Sequence, residues 1–165
     1  MKQRLDSAER VVVDPAWLLR GLLASDLQAQ RLRRAWQAGI IRPLVSAESV
    51  TLLMRAMAYP DLGLTPADQQ ELLADFLPYA DVVKLKPVAP AKTSGGRFGG
   101  LPEALAALVD LALQGGAQRL LSDREALRAW AARRRHPAAR QLCAISDLSA
   151  WIQALSPSQR EVVLC

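Results

Sequence analysis

Short β-branched runs alternate with longer helical stretches along the chain, and this alternation limits the folds open to it. The run VVV at 11–13 is continuous and apolar, and Asp14-Pro15 closes it, as expected of a strand buried on both faces. Further strands are predicted at 40–45, 81–85, 118–121 and 142–145, with helices at 16–23, 27–38, 47–57, 66–77, 102–114, 124–135 and 147–155. Pro15 and Pro66 fit first helical turns, and Ser46 and Thr65 fit N-caps, with Asp68 completing a short capping box. Gly39 and Gly115-Gly116 stop helices. Arg42-Pro43 suggests that the second strand is an edge or starts irregularly. Strands separated by helices favour a parallel sheet, because parallel neighbours need crossover connections.

The 165 residues suit one domain, expected to span 1–165 with a core at 10–155 and a polar tail at 156–165. At 51% hydrophobic and 22% charged, the chain can bury a core and is outside the disordered class. No apolar run approaches the ~20 residues of a bilayer span. The start MKQRLDSAER is too polar for a signal peptide. Cys143 and Cys165 make neither a disulfide framework nor a metal-ligand spacing. A cytoplasmic location without membrane contact is the expectation. The net charge is +5, mostly arginine, which suits a polyanionic partner because guanidinium binds phosphate well. An arginine-rich solvated surface accounts for the same count.

Ligands of parallel sheets bind outside the carboxyl ends of the strands, so the residues there carry the functional reading. Asp14 follows the first strand. Ser46 and Glu48 follow the second, Ser122, Asp123 and Glu125 the one near 120, and Ser146-Asp147 the last. Carboxylates crowded at one edge repel unless a cation joins them. Mg²⁺ takes oxygen ligands and keeps waters, and beside a phosphate it supports phosphodiester hydrolysis. Each acid also has a plainer role: Asp14 and Asp123 as N-caps, Asp147 at the start of a helix that Ser146 caps, Glu48 as a first-turn acid favoured by the helix dipole.

RLRRAW at 31–36 and RRRHPAAR at 133–140 could grip a phosphate backbone. Arg31, Arg34, Arg97, Arg124 and Arg133 are the candidate nucleic-acid contacts, and Lys84, Lys86 and Lys92 could join them. The same arginines could lie in solvent with their stems over apolar surface. His136 reads as a surface loop residue. SGGRFGG lacks the Lys-Ser/Thr of a phosphate-binding loop. Trp17, Trp36, Trp130 and Trp151, one per helix, and Met54 with Met57 are expected to pack.

VVVDPAWLLRGLL, IIRPLVSAESVTLLMRAMAYPDLGLTPADQQELL, LVDLALQGGAQRLLSDREAL and LCAISDLSAWIQAL together resemble the PIN-domain family, in particular bacterial PIN proteins of toxin–antitoxin pairs. The resemblance implies a three-layer α/β/α sandwich with a mainly parallel sheet. It also implies Mg²⁺- or Mn²⁺-dependent cleavage of RNA, an antitoxin-like protein partner and a homodimer. Asp14 matches the family's first acid and Asp123 the acid after the fourth strand, so these two are the catalytic candidates. Glu125 and Glu48 are possible further metal ligands. The chain departs from the family where Pro15-Ala16 replaces Thr-Asn, and where Leu52 and the region of Leu105 replace acids. A catalytically silent PIN-like module that binds protein or nucleic acid is the alternative expectation.

Overall fold

The structure is a computed structural model that describes residues 8–87 and 97–165. The strands are β1 (Glu9–Val13), β2 (Ile41–Val45), β3 (Asp81–Val82), β4 (Arg119–Leu121) and β5 (Ala144–Ser146). They form one sheet in the order β3-β2-β1-β4-β5, and every neighbouring pair is parallel. The valine run explains why the sheet is covered on both sides. Successive side chains of a strand point to opposite faces. Val11 and Val13 join Ile41, Val45 and Leu121 in one core. Helices α1 (Pro15–Leu23), α2 (Leu27–Gln37), α3 (Ala47–Met57) and α4 (Pro66–Phe76) cover that face. Val12 joins Leu44 and Leu120 in the opposite core, under α5 (Glu103–Gly115) and α6 (Glu125–Arg133). The result is the expected three-layer α/β/α sandwich. No helix among the described residues is long and apolar enough to cross a membrane.

Close approach sets the α5 terminus. A Cβ on Gly115 would lie 2.9 Å from Leu44 Cδ1 and 3.0 Å from Val83 Cγ2, so any larger residue there would push these side chains aside. Gly116, at φ 64°, ends the helix in the left-handed region.

Several expectations are corrected. β2 is not an edge: it pairs with β1 and β3. Pro43 is tolerated because pairing with β3 begins only at Leu44. Val45 turns its carbonyl toward β3, accepting from Val83 at 2.7 Å, and Pro43, two residues earlier, turns its donor-less nitrogen to the same unpaired side. β3 spans two residues rather than 81–85. Residues 156–165 are not a polar tail. They form α9 (Pro157–Leu164), opened by a Ser156 capping box, and its Val163 is fully buried in the core that contains α2. A short helix α7 (Pro137–Gln141) follows α6, and α8 (Leu148–Ala154) is capped by Asp147 rather than Ser146. Helix α6 stops at Arg133 because Arg134 adopts φ 50°. His136 caps α7 through Nδ1, 3.0 Å from the Ala138 N–H, and packs edge-on against Phe98. Met57 is buried, but Met54 is 47% exposed.

Candidate functional site

The chain leaves β1 for β2 on one side, yet β4 lies on the other side of β1. The carboxyl ends of β1 and β4 are therefore the switch point of the sheet, where crevices open in such folds. Asp14 and Ser122 stand there, one step beyond the Val13–Leu121 pair. The Asp14 N–H donates to the Leu121 carbonyl at 2.8 Å. Its side chain is 2% exposed. Oδ1 accepts from Ala16 N–H at 3.0 Å, which caps α1, and Oδ2 accepts from the Ser122 hydroxyl at 2.7 Å. Arg124 Nε lies 3.7 Å from Oδ2. A buried carboxylate is tolerable only with such partners; these bonds explain why a buried strand ends on an acid.

The other strand-end acids are dispersed. Asp123 and Glu125 are exposed, and no hydrogen bond or ion pair joins their side chains to another described residue. The N-cap of α6 is Arg124, whose N–H donates to Ser122 Oγ at 3.1 Å, so Asp123 does not cap it. Glu48 is exposed in the first turn of α3. Asp147 caps α8 and lies 3.4 Å from Arg128. Leu52 is 42% exposed and Leu105 is buried.

A narrow apolar crevice of about 30 Å³ runs between the starts of α1 and α3 and the side of α5, lined by Pro15, Ser46, Glu48, Leu52, Arg97 and Leu108 among others. That is room for about two waters. Arg97 sits in it as a cation already bound. Its guanidinium pairs with Glu103, and with Asp110 at 3.2 Å. The Glu103 hydrogen bond comes first among the causes that raise the Arg97 pKa, and the Asp110 and Glu48 charges act in the same direction. Asp110 is buried and also accepts from Gln114 at 2.6 Å.

These residues do not fit a preformed divalent-metal centre. Among the described residues, no group of three or more His, Cys, Asp or Glu side chains gathers within reach of one ion. Arginines occupy the places where a cation would neutralise the acids: Arg124 at Asp14, Arg128 at Asp147, Arg97 at Glu103 and Asp110.

The candidate arginines also separate. Arg31 and Arg34 are on α2, where Arg34 Nη1 reaches the Val163 carbonyl at 3.3 Å. Arg97 is taken by acids. Arg124 and Arg133 flank the two ends of α6. Lys84 and Lys86 are exposed, with the Lys86 backbone held by the Gln114 side chain; Lys92 lies outside the described residues. To Arg134, Arg135 and Arg140 of the RRRHPAAR run the structure adds Arg128, around α6 and α7. A groove of about 350 Å³ contains Arg128, Arg134 and Arg140, and one of about 250 Å³ contains Arg133, Arg135 and His136. The RRRHPAAR run signals this corner, but only the turn at Arg134 and the unforeseen α7 show how it is arranged. Arg134 is the one non-glycine residue with positive φ among those described; such a conformation costs on the order of 1 kcal/mol.

No family model and no curated protein sequence matches the chain.

Proposed function

We propose that this chain is a PIN-like domain that binds RNA without cutting it. The parallel three-layer fold and Asp14 at the end of the first strand support the kinship. The observation that carries the loss of cutting is the dispersal of the strand-end acids: among the described residues no three carboxylates gather, and Arg124 stands beside Asp14. Asp14, the best-matched acid, serves as an N-cap and an inter-strand clamp, with Arg124 beside it. Arg97 stands where further acids would need a metal. The excess of arginine, a net charge of +5 fixed in the chain, can hold phosphate without a loaded ion.

The test is RNA binding in EDTA against binding in Mg²⁺, with the RNA recovered and sized afterwards. Intact RNA, and binding in EDTA at least as tight as in Mg²⁺, are expected, because Mg²⁺ competes for the phosphates. Binding that requires the metal, or RNA recovered shortened, contradicts the proposal.

A further inference from the structure

Two arginine-lined grooves flank the C-terminal end of α6 without sharing a lining residue. Arg128, Arg134 and Arg140 line one over a floor that includes Ala131, Ala132 and Ala139. Arg133 and Arg135 line the other with His136. Among the described residues, no acid lies within ion-pair distance of Arg133, Arg134, Arg135 or Arg140; Arg128 has Asp147 at 3.4 Å. Arg124 continues the row toward Asp14 at the other end of α6, a helix of nine residues, or ~13 Å.

We infer that this corner seats the backbone of an RNA, gripping its phosphates. The inference rests on the RNA-binding reading above and gives that binding a place. Three observations favour a polynucleotide over other polyanions. The cations are all arginine, whose fork matches phosphate bidentately. They line concave grooves, which a flat lipid surface does not enter. None of the exposed large apolar side chains lies here, so the corner lacks the anchors that a protein interface or a bilayer surface would use. No exposed aromatic side chain stands in the grooves as a stacking platform for a base, so the grip assigned here is on the phosphates. Trp130 is buried, with Nε1 bonded to the Phe98 carbonyl at 2.7 Å, and the His136 ring packs against Phe98 and Trp130.

Arg134 strengthens the assignment. Its left-handed backbone caps α6 where glycine would sit without strain. Arginine at this position is better explained by its guanidinium than by the turn.

The experiment measures anisotropy of a fluorescein-labelled oligouridylate in EDTA over a salt series. Wild type is compared with Arg134→Gly/Arg140→Ala and with Arg55→Ala, a control on exposed α3 surface. Each phosphate contact to a single strand contributes about 0.7 to the log–log salt slope, so the double variant should lose about 1.4 of slope and bind roughly tenfold more weakly at low salt. Arg55→Ala should match wild type, and oligocytidylate should bind like oligouridylate. Arg134→Gly relieves backbone strain, so lost binding at an unchanged or higher melting temperature cannot be ascribed to misfolding. A double variant with wild-type affinity and slope overturns the corner while leaving RNA binding in place. Absence of binding by wild type overturns both. Equal competition by polyglutamate or by phosphatidylserine vesicles also overturns the inference.

Discussion

The Ser122 hydroxyl donates to the Asp14 carboxylate at 2.7 Å, joining the ends of two adjacent strands whose following helices cover opposite faces of the sheet. The bond lies between fully buried groups, and the same carboxylate caps α1 through Ala16. Asp14→Ala should therefore lower unfolding stability by about 2–3 kcal/mol, from a lost cap and an unpaired buried hydroxyl. Ser122→Ala should cost about 1–2 kcal/mol, and the double variant less than the sum. Urea denaturation of the cycle measures this. Additive costs would show that the two groups do not interact.

Arg97 is the second clamp. Arg97→Ala leaves Asp110, with a side chain only 7% exposed, facing Gln114 alone. A loss of about 2 kcal/mol is expected, part of it recovered in Arg97→Ala/Asp110→Asn, where the uncompensated charge is gone. Denaturation midpoints of the three proteins decide it; an Asp110→Asn change that recovers nothing contradicts the pairing.

Helix α9 closes the core above α2. Val163 is fully buried, and Val163→Ala should cost about 2 kcal/mol through lost burial and a small cavity. The neighbouring Val162 is 49% exposed, so Val162→Ala should be nearly neutral. Thermal melts of the two variants read the difference directly.

Two kinds of group give pH dependence. Asp26 is held below its ordinary 3.8 first by the Arg20 guanidinium and then by the Ala29 N–H; Asp68 is lowered first by the Thr65 backbone N–H and then by the Thr65 hydroxyl. Their contribution is complete above 3.8 and fades as pH falls through the lower folded values, because the unfolded chain takes up protons first. Burial, the leading cause, pushes the Cys143 thiol above its ordinary 9.0. That contribution is complete below 9.0 and is lost as pH rises through the folded value. Native-state alkylation near neutral pH should therefore modify exposed Cys165 well before Cys143. Peptide mapping after timed iodoacetamide treatment reads the order.

The sheet was legible where burial and local chemistry agree. The VVV run carries its two-faced burial in its composition. Ser46, Thr65 and Gly116 mark helix ends through interactions made within a few residues. Other features depend on distant partners. Pro43 is harmless in β2 only because β3 starts late, which no local pattern records. Helix α9 depends on the surface it covers: Val163 alone is buried in a segment that reads as polar. At the site, Asp14 stood out as an acid among valines and leucines, but its partners Ser122 and Arg124 lie more than a hundred positions away. Arg97 looked like a free loop cation until Glu103 and Asp110 were placed beside it.

The most direct test is incubation of labelled RNA with Mn²⁺ and either wild type or Asp14→Ala, assayed at matched folded fractions. The RNA should stay intact to the same extent with both proteins. Mn²⁺-dependent cutting by wild type that disappears in Asp14→Ala would contradict a domain that binds without cleaving.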